Sequence, residues 1–219
     1  MIVLAIDTAG VDCSAALHDS ETGRTLAAVS EMIGKGHAER LMAIIDEALL
    51  QASLELKDVD QIAVVVGPGS FTGIRVGVAA ARGLALALGI PSVGITTLET
   101  LAAVHRDTSS DGSLLVAMDA KRNEVYVQAF GADGVELSEP TALSPEDAAS
   151  LATSISAKVA GSGRALLLGE PDAATTDRFD IAAVARLGAA KVPDTSRPKP
   201  LYLRGPDAKP QTGYALARS

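Results

Sequence analysis

The sequence predicts an α/β fold of two lobes, each a mixed sheet flanked by helices, and three observations carry that prediction. First, strand-like apolar runs alternate with segments of helical period, and Ile62-Ala63-Val64-Val65-Val66 leads through a Gly-rich turn directly into a helix. Second, the 219 residues are 47% apolar but only 3% aromatic, with no Trp, a composition suited to small-residue helices packed closely on sheets. Third, an opening motif recurs. Leu4-Ala5-Ile6-Asp7, a turn and a returning strand from Cys13 to Leu17 are matched by Val116-Ala117-Met118-Asp119, a turn and a returning strand from Glu124 to Phe130. The expected division is residues 1–105 for the first lobe and 106–219 for a smaller second lobe with an extended tail.

Taken in order, Ile2 to Ile6 is apolar at every position, as in a strand covered on both faces. Cys13 to His18 and Thr25 to Val29 complete a meander, with the Asp19 to Gly23 cluster as a turn. From Ala38 to Ala52 the residues Leu41, Ile45, Ala48 and Ala52 recur at helical spacing beside Met42, Ile44 and Leu49, which gives a broad apolar stripe. The helix from Thr72 to Leu88 is apolar almost all round apart from Arg75 and Arg82 and is expected to be covered on more than one side. Its Gly73, Gly77 and Ala81 fall four apart, so one edge admits a close backbone, either from another chain or from the same subunit.

Gly89-Ile90-Pro91 stops that helix, Val93 to Ile95 is a short strand, and Thr96 or Thr97 caps a helix over Leu98 to His105. The polar stretch Arg106 to Gly112 reads as the connection between lobes. In the second lobe Leu114 to Met118 and Glu124 to Phe130 are strands, and Ser144-Pro145-Glu146-Asp147 starts a helix. Ala157 to Ala160 precedes Gly161-Ser162-Gly163, Ala165 to Leu168 is a strand candidate, and Ile181 to Leu187 is the last helix. Arg197 to Ser219 lacks periodicity and is expected to trail as an extended segment.

Charge and cysteine content narrow the function classes. With 27 acidic against 19 basic side chains the net charge is −8, which disfavours unaided binding of tRNA or DNA. The single Cys13 excludes an intramolecular disulfide and a multi-thiolate metal site, as a reducing cytoplasm favours. The chain opens on a strand rather than on a basic segment followed by an apolar core, and Gly and Arg interrupt its longest apolar stretches. A cytoplasmic protein without a membrane span is expected.

Most catalytic readings lack a component. Gly67 to Gly73 invites a phosphate loop, but Ile74 and Arg75 follow where Lys and a hydroxyl are required; a tight turn or a simple anion contact is what these glycines can supply. Asp7 and Asp119, each ending a strand, can hold a metal-bound nucleotide between lobes or can cap their own hairpins. His37 has Leu41 rather than a second His one helical turn on, so no zinc pair forms. Ser70 and Cys13 have no base evident in sequence, which speaks against hydrolysis.

Five stretches together resemble the TsaB (YeaZ) family of tRNA threonylcarbamoyladenosine biosynthesis: Ile2 to Thr8, His37-Ala38-Glu39-Arg40-Leu41, Gly67 to Gly77, Asp119 to Tyr126, and Pro200-Leu201-Tyr202-Leu203-Arg204. The resemblance implies the ASKHA fold, the two-lobed architecture of actin and sugar kinases with RNase H-like sheets. It also implies a non-catalytic scaffold that pairs with a TsaD-like subunit, which transfers threonylcarbamoyl to adenosine of tRNAs reading ANN codons. A TsaE-like ATPase joins, a homodimer forms in isolation, tRNA is met only through the complex, and no cofactor is bound tightly by this chain alone, while the assembled complex can hold ATP or ADP. Of the metal-binding His pair in TsaD-like proteins, only His37 is matched.

The family pairs through its first two long helices. Expected interface residues are therefore His37, Arg40, Leu41, Ile44, Ile45 and Ala48 on the first, and Gly73, Arg75, Val76, Gly77, Ala80, Ala81 and Leu84 on the second. Asp7, Thr8, Asp119 and Arg122 are the expected nucleotide contacts. Two rival readings are an ATP- or metal-dependent transferase acting alone and a peptidase-like protein acting on partner subunits.

Overall fold

A computed structural model describes residues 1–108, 112–170, 177–193 and 196–204. The first sheet has the order β3-β2-β1-β4-β5 and the second β8-β7-β6-β9. In the first, β1 (Ile2–Asp7) is central, antiparallel to β2 (Asp12–Asp19) and parallel to β4 (Gln61–Gly67). β3 (Arg24–Met32) and β5 (Ser92–Thr96) are the edges. The central strands β1 and β4 are buried on both faces, which is why their sequences show no alternation.

Helices cover both faces of this sheet. α1 (His37–Ala52) and α2 (Phe71–Leu88) lie in contact with each other on one face, α1 over β2 and β3, α2 over β4 and β1. α6 (Ile181–Ala190) covers the other: Gly188 stands against Ala63, while the neighbouring Val64 reaches Gly77 of α2. Successive strand residues point to opposite faces, so these two contacts fix the layers. α6 follows the second sheet in the chain yet places Ile181, Val184 and Ala185 in the core of the first lobe. A cut at residue 105 therefore divides the sheets but not the helices.

The second sheet repeats the plan of the first. β6 (Leu114–Lys121) is antiparallel to β7 (Glu124–Phe130) and parallel to β9 (Lys158–Ala160), with β8 (Thr141–Leu143) beside β7. Leu114, Val116 and Met118 share one core with Leu98 and Ala102 of α3 (Thr97–Thr108), while Leu115 and Ala117 share another with Ala148 and Ala152 of α4 (Pro145–Ser154). Arg122 and Asn123 both have positive φ, of 58° and 59°, which makes the β6–β7 connection a primed two-residue turn. α3 opens on a reciprocal cap: the Glu99 N–H donates to Thr96 Oγ1 and the Thr96 N–H to Glu99 Oε2.

One element differs in type from the sequence reading. Ala165 to Leu168 is not a strand; it lies in a short helix, α5 (Arg164–Leu168), ended by Gly169 in the left-handed region. Ala and Leu favour helix over strand, and a four-residue apolar run carries no period to separate the two. β8 gave no signal in the sequence. Of the tail, residues 197–204 form neither helix nor strand and bend at 203–204, Leu201 donating its N–H to Val66 O at 2.8 Å, and 205–219 lie outside the described residues.

Candidate functional site

Two regions combine the residues singled out by sequence. The first is the face of α1 and α2 turned away from the sheet. On α1, Leu41, Ile44, Ile45 and Ala48 are covered by the chain's own core, which corrects their expected place at a partner surface. His37 is buried as well, its Nε2 standing 3.2 Å from the carbonyl of Asp12. Met42 and Leu50 are the large apolar side chains that this helix exposes, and Arg40 pairs with Glu31 at 2.6 Å on its flank.

On α2 the small-residue edge faces inward. A Cβ on Gly73 would stand 1.9 Å from Thr8 O, and one on Gly77 2.6 Å from Thr8 Oγ1. Thr8 Oγ1 donates to Gly73 O at 2.7 Å, clamping the helix to the end of β1. Gly73, Gly77 and the buried Ala81 thus serve packing within the subunit, not a partner helix. What α2 turns outward is Phe71, Arg75, Ala79, Arg82 and Leu86, with Val76, Ala80 and Leu84 half-buried at its margins. Only 33% of this helix is buried, although its 18 residues are apolar enough to pass for a membrane span by length and composition. Ile74, Val78, Ala81 and Ala85 hold it on the sheet as a helix of the globular fold. At its start the Arg75 guanidinium lies 3.7 Å over the Phe71 ring while its Nε donates to Tyr202 Oη at 2.8 Å.

The second region is a cleft of about 440 Å³ between the lobes, lined by both strand-end aspartates, Asp7 and Asp119, together with Asp12, Gly69, Lys121, Ser162, Asp177 and Arg178. The repeated motif thus brings its two carboxylates to one cavity from opposite lobes. Asp7 accepts from the Ala9 N–H at 2.7 Å. Burial, reinforced by the charge of Asp12 and opposed by that hydrogen bond, pushes its carboxyl up to about 6. Burial also acts to raise Asp119, but contact with Lys121, at 2.7 Å to its N–H and 2.5 Å to its Nζ, holds this carboxyl below its usual value. Asp177 accepts from the Ser162 N–H at 2.7 Å and from its hydroxyl, and burial raises its pKa.

Two expected contacts lie elsewhere. Thr8 faces α2 rather than the cleft, and Arg122 sits exposed at the tip of its turn while Lys121 lines the cavity. The Gly-rich turn is not a free anion cradle: the Ser70 N–H donates to Ala9 O at 2.7 Å, Gly73 N–H to Ser70 Oγ at 3.2 Å and Ile74 N–H to Ser70 O at 2.9 Å. Its glycines permit close approach, since a Cβ on Gly69 would fall 2.5 Å from Ala9 O. The sequence reading missed Asp12, Ser162, Asp177 and Arg178. Arg178 grips Asp12 at 2.7 and 2.9 Å across a separation of 166 residues, which no local pattern reveals. Among the described residues no three His, Cys, Asp or Glu side chains gather as a metal site. Burial, with Asp7 and Glu31 nearby, raises the Cys13 thiol to about 11, well away from a reactive thiolate.

The same architecture occurs in solved structures. An uncharacterised protein of Pseudomonas aeruginosa described as similar to peptidase YeaZ superposes with a TM-score of 0.75 over 93% of this chain and 99% of its own, at 27% identity. YeaZ from Pseudomonas aeruginosa gives 0.59 at 33% identity, over 66% of this chain and 68% of that one. The chain belongs to the TsaB (YeaZ) family. Escherichia coli TsaB, a tRNA threonylcarbamoyladenosine biosynthesis protein, is 37% identical over 58% of this chain and 53% of its own. An uncharacterised protein of Mycobacterium bovis is 35% identical over 95% of this chain and 94% of its own. The chain spans a little over half the length of the first curated relatives, 57% of a Mycobacterium leprae protein and 53% of E. coli TsaB. Residues 28–169 also match the TsaD family, described as tRNA N6-adenosine threonylcarbamoyltransferase. TsaB membership fixes the ASKHA fold, and the common strand order of the two sheets is its signature here.

Proposed function

We propose that this chain is a cytoplasmic, non-catalytic subunit in tRNA threonylcarbamoyladenosine formation, pairing with a TsaD-like transferase subunit through the outward face of α1 and α2. The observation that carries the reading is the set of large apolar side chains that α2 and α1 leave exposed: Leu86 is 70% exposed and Phe71 47%, towards the two ends of α2, and Leu50 of α1 is 79% exposed. Large apolar side chains on helices that their own fold leaves partly open gain by burial against another protein. Family membership supplies the kind of partner: relatives are named TsaB, and the TsaD description matches most of the chain. In isolation the same face pairs two copies, so homodimer and heterodimer compete. A TsaE-like ATPase joins the heterodimer, and tRNA is met only through the assembly.

The non-catalytic reading draws support from His37, which is buried against Asp12 O with Leu41 where a second imidazole would be needed. In the cleft, Lys121 and Arg178 already pair with Asp119 and Asp12, and the Ala9 and Lys121 amides with Asp7 and Asp119. A phosphate would meet few free donors there, so ATP or ADP is held in the assembled complex and not tightly by this chain alone.

Co-purification with TsaD-like and TsaE-like subunits, followed by a tRNA modification assay with each subunit omitted, tests the proposal. Modification is expected to require this chain, and the isolated chain to turn over neither ATP nor tRNA. Modification by this chain alone would establish the transferase alternative, and cleavage of TsaD on incubation the peptidase one; either overturns the scaffold role.

A further inference from the structure

α1 and α2 carry opposite charges on the side turned away from the sheet. The outward strip of α1 runs Glu39, Ala43, Asp46 and Leu50, all exposed and spaced three or four apart. Arg40, the one Lys or Arg of α1, lies on its flank and is taken up by Glu31. α2 has no acidic residue; its charges are Arg75 and Arg82, both exposed, with the exposed Ala79 between them and Phe71 one turn before. The Arg75 Nε donates to the neutral Tyr202 hydroxyl, which leaves the guanidinium charge unmatched. None of Glu39, Asp46, Arg75 and Arg82 forms an ion pair with another described residue.

The two sets of charges share one spacing. Glu39 and Asp46 stand seven residues apart, as do Arg75 and Arg82, so each pair spans two turns and about 10.5 Å. The sheet sets the direction of the helices. β4 runs parallel to β1, and so does β3, by way of the antiparallel β2. α1 follows β3 and α2 follows β4 after connections of four and three residues, so both helices return across the sheet in the same sense, side by side. A twofold axis normal to this face, between the helices, lays α1 of one copy antiparallel on α2 of a second. Arg75 then meets Asp46 of the second copy and Arg82 meets its Glu39, with the small Ala79 and Ala43 at the crossing and Phe71 against Leu50. An axis centred on α2 would instead gather four guanidinium groups and one centred on α1 four carboxylates, which like-charge repulsion opposes.

We infer that the occupant of this face in the isolated chain is a second copy seated with α1 on α2 and α2 on α1, and that the opposition of Arg75 to Asp46 and of Arg82 to Glu39 selects this arrangement over like-on-like pairing. The inference rests on the reading of α1 and α2 as the pairing face; it adds which helix meets which and the charges that decide it.

Sedimentation velocity of the full chain across concentration tests it. Arg75→Glu with Arg82→Glu makes both outward strips acidic, and Glu39→Arg with Asp46→Arg makes both basic. Each double variant alone is expected to dimerise at least about tenfold more weakly than the original chain. An equimolar mixture of the two is expected to recover the dimer, because every acidic strip then meets a basic one. Arg24→Glu with Lys158→Glu changes the net charge equally, away from this face, and should dimerise as the original chain does. Circular dichroism melts check that the variants fold; where a double variant melts early, Arg82→Glu and Glu39→Arg, one opposed pair, repeat the scheme. An original chain that stays monomeric at every concentration overturns the pairing face and this arrangement together. A dimer that either double variant forms undiminished, that the mixture fails to recover, or that the Arg24 and Lys158 control weakens equally keeps the face and overturns the arrangement.

Discussion

Asp7 is a carboxylate at the end of a buried strand, raised from 3.8 to about 6 chiefly by loss of water. A folded-state pKa above the unfolded one means that the native state binds the proton more tightly, so this group opposes folding when ionised. Its penalty is complete above the folded value, shrinks as pH falls from 6 toward 4, and vanishes below the unfolded value. Asp7→Asn, whose amide oxygen can still accept from the Ala9 N–H, should therefore stabilise the protein at pH 8 by up to about 3 kcal/mol and make no difference near pH 3. Urea unfolding of both proteins across that range measures it; equal stability at pH 8 would show that Asp7 is not desolvated. The glycines allow a matched comparison on one helix. Gly73→Ala drives a methyl into Thr8 O and should cost several kcal/mol, on the order of an overpacked core site, whereas Gly83→Ala meets nothing within 4 Å and should gain roughly 0.5–1 kcal/mol. Thermal melts of the two variants read out the opposite signs. Asp7 and Asp119 were legible in the sequence because each ends an apolar run at a turn. Ser162 and Asp177 were not, since their pairing joins positions 15 residues apart in a stretch whose sequence shows no period.

At the level of the element, the helical stripes of α1 and α2 were readable but their orientation was only half so. On α1 the widest apolar stripe, Leu41 to Leu49, simply faces the sheet. α2 is apolar on all sides, so periodicity could not say which edge turns inward; the close passage of the β1 end, with Thr8 against Gly73 and Gly77, decides it. Gly77 therefore belongs to folding, and a bulky replacement there should lower stability before it touches any partner. Pairing should be sensitive instead to Leu86→Glu, at a side chain 70% exposed and outside the core. That change is expected to leave the melting temperature within a degree or two, because exposed substitutions alter stability by about 0.5 kcal/mol or less. It should also abolish homodimer formation in sedimentation and co-purification with the TsaD-like subunit. A Leu86→Glu chain that still sediments as a dimer would remove α2 from the interface.

Across the whole molecule, the repeated strand-Asp-turn-strand motif foretold two sheets of one plan, but no local pattern indicates how they are tied. Among the described residues, α3, α6 and the tail do it. α3 leaves the first sheet and packs on the second, α6 returns to the first after the second is complete, and the tail crosses both. In the tail, Leu201 packs on the first core and bonds Val66 O, Leu203 joins the second core, and Arg204 reaches Glu124 at 2.8 Å. Alternate residues of one segment thus stand in different lobes, so pulling the lobes apart must break both sets of contacts together. Each half-buried leucine contributes on the order of 1–2 kcal/mol by the apolar area it covers. Truncation after Pro200 removes them all, along with the Tyr202 ring that meets Phe71 at 5.1 Å. The truncated chain should melt earlier in differential scanning calorimetry, and its single transition should split in two as the lobes lose their common strap. Leu203→Ala, which keeps the anchor at Val66, should lower the melting temperature without the split. One sharp, undivided transition in the truncated chain would instead assign the coupling of the lobes to α3 and α6 alone.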